Sequence, residues 1–182
     1  MLWLSMASVI MLFTGFTSAY IVKHADTNNW TNVDLPSLFW VSTTFILMSS
    51  LTMAMAVRSF KRHRLTAYRS LVFVSLLLGG AFLVSQIMAW QELVTKGLPV
   101  GTEIAADFLY VISGAHFLHV IGGLVAILFL AVRAWIRYRQ PEDMLLQSLD
   151  SGKVPGIELV ATYWHFVDLL WLYLFVFFIA NT

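Results

Sequence analysis

The chain has 182 residues, 59% of them apolar, and a mean hydropathy of +0.79, well above the roughly 45–50% apolar share of a soluble domain. That composition excludes an ordinary soluble protein and points to an integral membrane protein. A net charge of +1 argues against a nucleic-acid partner, and the lack of cysteine excludes disulfides and thiolate metal sites.

Five apolar runs are long enough to cross a bilayer. They predict an all-α, polytopic transmembrane bundle with spans at about 1–22, 36–57, 70–93, 108–136 and 158–180. The whole chain, 1–182, reads as one transmembrane domain. It opens directly on an apolar run, without the basic head and small-residue cleavage site of a signal peptide, so the first run is read as a spanning helix. Ser8, Gly15 and Ala19 recur at spacings of seven and four. They predict a small-residue stripe for close helix contact.

A polar loop, 23–35, precedes the second span, which Pro36 opens from a first-turn position. This span carries Ser42, Thr43, Thr44, Ser49, Ser50 and Thr52. The expectation is that these hydroxyls bond to backbone carbonyls or across helices, each contributing about 1 kcal/mol or less. A polar permeation path is the alternative, but no charge lies among them. Residues 58–69 then carry Arg58, Lys61, Arg62, His63, Arg64 and Arg69 with no acid. In the third span Ser75, Gly79 and Gln86 share a face, and Gly79 and Gly80 leave room for a close neighbour.

The fourth span holds His116 and His119, one turn apart. Their spacing suits metal chelation. The competing expectation is that both bond to neighbouring helices or headgroups near the outer surface. The last span carries Glu158 near one end and His165 and Asp168 well inside. An ionisable group at that depth costs at least about 2.5–3.5 kcal/mol unless it faces protein or water. His165 and Asp168 are three residues apart and able to touch. They predict a hydrogen-bonded or salt-bridged pair, with a metal or proton site as the sharper alternative. Of the eleven Lys and Arg residues, all but Lys23 and Lys96 fall at 58–69 or 133–153. The positive-inside rule therefore places the N-terminus inside and the C-terminus outside. Trp30, Trp40, Trp90 and Tyr138 are read as interfacial anchors.

The last span also carries a resemblance. Its run Tyr163-Trp164-His165-Phe166-Val167-Asp168, continuing through Trp171-Leu172 to Phe175, resembles the Y-W-H-F-V-D-x-x-W-L-x-L-F signature of subunit III of the haem–copper oxidases, the cytochrome c oxidase family. The run from Ser113-Gly114 through His116 and His119-Val120 to Gly123 is similar to that family's T-G-x-H-x-x-H-V-x-x-G. Gly15-Phe16-Thr17-Ser18-Ala19-Tyr20 resembles its G-x-x-S-A-Y, and the run from Gly80 to Gln86 its G-x-x-F-x-x-x-Q. The hydroxyl-rich second span resembles its serine-threonine-rich helix. Two departures stand out: Val9 and Ala89 occupy positions where the family places glutamates.

The resemblance implies a short, five-helix bacterial form in the inner, cytoplasmic membrane. It implies a non-catalytic subunit beside catalytic subunit I and subunit II, with haem and copper in those partners and none in this chain. It further implies bound phospholipid and support for stability and sustained proton uptake. A larger respiratory supercomplex is compatible with it, and so is a quinol oxidase, since the electron-donor site lies elsewhere. His116, His119, Gln86, Glu158, His165 and Asp168 are the structural polar or lipid-contact candidates. Asp150 and Glu158 are the candidates for collecting protons at the inner surface. Two other classes compete. A metal-dependent membrane enzyme would draw on His116, His119, His165, Asp168 and Glu158. These are split by roughly two to three turns of height between antiparallel helices. A small transporter would call for broken helices or an inverted repeat.

Overall fold

The computed structural model describes residues 2–27, 30, 33–136 and 156–181. Five helices account for almost all of them: α1 (Leu2–Asp26), α2 (Leu38–Lys61), α3 (Leu65–Thr95), α4 (Ile104–Ile136) and α5 (Gly156–Ala180). All five are long and apolar enough to cross a membrane.

The helices outrun the expected spans, most clearly around the basic run. Arg58 and Lys61 lie in the last turn of α2, and α3 is already under way at Leu65. Arg, Lys, Leu and Ala are good helix formers, so charge ends the apolar span without ending the helix. What ends α2 is His63, at φ 53°. Its N–H bonds to Phe60 O at 3.0 Å, and the Arg64 N–H bonds to Ser59 O at 3.0 Å. This pair of bonds over a left-handed residue is the Schellman closure. The same closure ends α3. There Gly97, at φ 81°, supplies the left-handed position, with bonds from Gly97 N–H to Val94 O and from Leu98 N–H to Leu93 O. Pro36 sits just ahead of α2 rather than in its first turn, its carbonyl accepting from the Phe39 N–H at 3.0 Å.

Helices α2, α3, α4 and α5 pack in a closed ring, each against the next and α5 back against α2. One end of this ring carries the basic residues. Lys61 reaches Glu158, Arg69 Nε donates to Ala134 O at 2.9 Å, and the Arg69 guanidinium lies 5.0 Å from the Trp135 ring. The end of α2, the start of α3, the end of α4 and the start of α5 therefore lie together.

Helix α1 stands outside the ring, against α4 and α5. The expected small-residue stripe is not its contact face: Ser8, Gly15 and Ala19 are exposed, and a Cβ on Gly15 would meet nothing within 4 Å. Met6, Val9, Phe13, Thr17 and Tyr20 face inward instead. Phe13 wedges edge-on against His116 and His119, Thr17 Oγ1 lies 3.1 Å from the Tyr173 hydroxyl, and the Tyr20 hydroxyl donates to Asn181 O. Large side chains filling the α4–α5 groove hold the backbones apart, so close approach through small residues is not available on that face. An apolar groove of about 360 Å³ is left between α1 and α5, lined in part by Ile10, Phe13, Thr14, Phe166 and Tyr173.

The distribution of polarity is that of a protein in lipid. Trp3, Met11, Leu118 and Leu169 are among the most exposed side chains, while Ser42, Ser49, Ser75, Gln86, His116 and Asp168 are buried.

Candidate functional site

The hydroxyls of α2 organise the polar interior. Ser42 and Thr43 both donate to Phe39 O, Thr52 donates to Ser49 O, and Ser49 donates across to Ser75 O on α3. With their protons spent on carbonyls, their oxygens accept from neighbouring helices. Gln86 Nε2 donates to Ser42 at 2.9 Å, Trp171 Nε1 to Thr43 at 3.0 Å and Trp164 Nε1 to Ser49 at 3.1 Å. This is the helix-bridging role expected from their composition.

Trp164 also fixes how closely the helices approach. It is fully buried, and its ring fills the space over two glycines. A Cβ on Gly123 would lie 2.8 Å from its Cε3 and Cζ3, and one on Gly79 would lie 2.9 Å from its Cη2. One indole thus ties α5 to α2, α3 and α4. Gly80 has nothing within 4 Å, so only one of the two adjacent glycines makes the close approach.

The expected direct pair of His165 and Asp168 is not formed. His165 Nδ1 lies 2.7 Å from Ser50 Oγ on α2, and neither carboxyl oxygen of Asp168 has a hydrogen-bond partner among the described residues. Asp168 is only 3% exposed. The spacing of three does place both side chains on one face, but α2 presses a hydroxyl into that face and captures the imidazole.

His116 points into the bundle. It is fully buried, and neither ring nitrogen has a hydrogen-bond partner among the described residues. It is enclosed by Trp171 at 5.0 Å, Phe82 at 5.8 Å and Phe13 at 6.4 Å between ring centroids. Gln86, one turn along α3 from Phe82, has no partner for its Oε1 among the described residues either. His119 is half-buried. Its Nδ1 lies 2.7 Å from Ala115 O one turn back, and its own carbonyl accepts from the Tyr163 hydroxyl. The two histidines therefore part company, one inside the aromatic box and one tied to its own helix.

Glu158 pairs with Lys61 at 2.8 Å. Lys61 is exposed and Glu158 half-buried, and a pair of this kind contributes about 0–1 kcal/mol. Asp150 lies outside the described residues, as does Tyr138. Among the described residues no group of three or more His, Asp or Glu side chains converges to hold a metal ion. Within the five candidate ligands, His165 is engaged by Ser50, Glu158 by Lys61 and His119 by its own helix, so the structure does not bring them together. Sequence reasoning missed Ser50 as the partner of His165, Lys61 as the partner of Glu158 and the Trp164–Gly123 contact. The hydroxyl and the cation were visible, but only the pairing of α2 with α5 selects them.

The profile of the family "Cytochrome c oxidase subunit III" matches residues 3–181. The chain belongs to the cytochrome c oxidase subunit III family. A relative from Nocardia farcinica, named probable cytochrome c oxidase subunit 3, is 32% identical over 179 residues, covering 96% of this chain and 82% of the relative. One of the same name from Mycobacterium leprae is 30% identical over 176 residues, covering 95% and 81%. Cytochrome c oxidase subunit 3 from Bacillus sp. strain PS3 is 28% identical over 177 residues, covering 95% and 80%. The match spans all five helices.

Proposed function

We propose that this chain is the non-catalytic subunit III of a bacterial cytochrome c oxidase, seated beside catalytic subunit I and subunit II in the inner membrane, N-terminus inside and C-terminus outside. The observation that carries the reading is the subunit III family match over 3–181. The relatives' names speak for cytochrome c rather than quinol as the donor. In this reading haem and copper belong to the partner subunits. This chain supplies a rigid helical wall, contacts for phospholipid, and inner-surface acids that collect protons for the catalytic subunit. Glu158, at the start of α5, and Asp150 are those acids.

The reading is tested on the oxidase purified in mild detergent through a tag on this chain. A haem spectrum should accompany the tag. Stripping the chain away should leave that spectrum intact while shortening the enzyme's working life. Loss of the haem signal together with the chain would refute a non-catalytic role. The proton-collecting part has its own readout. Asp150→Asn with Glu158→Gln should slow steady-state oxygen reduction more at pH 9 than at pH 6, where protons are abundant. An unchanged pH profile would refute it.

A further inference from the structure

We propose that the outward face of α2, at the basic end of the bundle, binds one anionic phospholipid, with its phosphate on Arg58 and Arg62 and an acyl chain along Met55, Leu51 and Met48. The inference deepens the phospholipid contact put forward above and rests on that reading. Residues 48, 51, 55, 58 and 62 are spaced by three and four, so they share one face of the helix. All five are exposed, with Met48, Leu51 and Met55 at 53%, 59% and 44%. Ser49, Thr52, Met53 and Ala56 are buried on the opposite face. The outward stripe turns from apolar to cationic between Met55 and Arg58. From Met48 to Arg58 the helix rises about 15 Å, half of a hydrocarbon core of roughly 30 Å. One acyl chain of leaflet depth therefore fits between the arginines and the middle of the bilayer.

The cations at this end divide by what holds them. Lys61 reaches α5 and pairs with Glu158, and Arg69 turns to Ala134 O and the Trp135 ring. Arg58, Arg62 and Arg64 are exposed and have no ion pair among the described residues. These three are all arginines, whose forked donors match two phosphate oxygens where a lysine offers only a point charge. Their backbone is fixed as well. The Arg62 N–H bonds to Arg58 O at 3.1 Å, and beneath the turn the buried rings of Phe60 and Tyr68 meet edge-on at 5.3 Å. Little ordering of the chain therefore opposes binding. A free anion would use the charge but not the apolar stripe. A zwitterionic lipid would use the stripe, but carries its own cation beside the phosphate. A lipid of net negative charge uses both. An arginine at a membrane surface favours anionic lipid by about fivefold, so two favour it by about 25-fold.

The test uses the intact oxidase in mild detergent and phosphatidylglycerol with a diazirine in its acyl chain, cross-linked by light and mapped by mass spectrometry. Cross-links should fall on the α2 segment that holds Met48, Leu51 and Met55. Unlabelled phosphatidylglycerol should compete them away at about 25-fold lower concentration than phosphatidylcholine with the same chains. Arg58→Gln or Arg62→Gln should cut that preference about fivefold, and the double variant should abolish it. High salt should shrink the preference in the unsubstituted enzyme, a check that needs no variant. Absence of α2 cross-links would show that protein rather than lipid covers this face. Equal competition by the two lipids would remove the arginines from the site, and equal competition by glycerol phosphate would reduce it to a bare anion site. Each of these results overturns the proposal. A tag that brings no haem would refute the subunit reading instead, and the selectivity of the α2 cross-links is still read on the same chain.

Discussion

Replacing Gly123 by Ala probes the contact on which the ring of helices closes. The new methyl would lie 2.8 Å from Cε3 and Cζ3 of Trp164 and 3.4 Å from Cε1 of Tyr163. Trp164 cannot turn away without cost, because it is fully buried and its indole N–H is bonded to Ser49. In lipid there is no water to expel from between helices, so packing of this kind carries much of the association. Overpacking costs about 1–3 kcal/mol, and sliding the indole off Ser49 adds about 1 kcal/mol. Alanine also regains up to about 1 kcal/mol of helix propensity over glycine. Gly80→Ala has that same gain and nothing within 4 Å to strike, so the propensity gain cancels when the two variants are compared. The expected difference is about 2–4 kcal/mol, a factor of about 30 or more in the unfolding equilibrium. It is read from denaturing-detergent titration of the purified chain, or from heat-driven loss of the chain from the oxidase. Trp164→Phe should relieve part of the clash, so that the double variant loses less than the two single losses predict. If Gly123→Ala matched Gly80→Ala, the indole would not be the closing contact and the packing argument would fall.

His116→Phe should leave stability unchanged or raise it by about 1–3 kcal/mol, since it removes from an aromatic enclosure two buried nitrogens that have no partner among the described residues; a loss in the same titration would show that those nitrogens are bonded within the chain. For orientation, Ser59→Cys and Asn181→Cys in this cysteine-free chain should label differently in right-side-out vesicles, with an impermeant thiol reagent reaching Asn181→Cys alone. Labelling of both, or of Ser59→Cys alone, would refute the proposed topology.

The five helices were legible because each contains an apolar run of bilayer length, and only polar or charged segments separate those runs. Their ends were not, because the residues that stop a span need not stop a helix. Arg58 and Lys61 extend α2 beyond the apolar stretch, and a three-residue turn through left-handed His63 is all that separates it from α3. The contact face of α1 was misread for a reason peculiar to membranes. Both of its faces are apolar, so periodicity gives no inward direction, and the small-residue stripe was a weaker guide than the bulk of Phe13 and Tyr20. His165 and Asp168 stand three residues apart on α5, a spacing that lets them meet, yet they do not pair. A spacing along one helix says which residues can meet, but not what a second helix inserts between them. His116 and His119 were expected to act alike, yet the two point far enough apart around α4 for one to enter the core and the other to bond its own backbone.

The hydrogen bonds between α2 and α5 bear more on register than on bulk stability. Thr43 meets Trp171, and two turns further along α2 Ser49 and Ser50 meet Trp164 and His165, two turns back along α5. Interhelical bonds of this kind in lipid contribute only about 0.6 kcal/mol each, so three of them add little to the association. A slip of one residue would break all three together. Each stranded indole or imidazole nitrogen would then cost about 1–3 kcal/mol, because neither lipid nor the apolar core offers a substitute. The penalty for the wrong alignment thus exceeds the gain from the right one, which is what a specificity device requires. Asp168 lies on α5 between the two anchored levels. The bonds that fix the register also keep its carboxyl buried, and a shift of α5 large enough to expose that carboxyl would first have to give up both tryptophans.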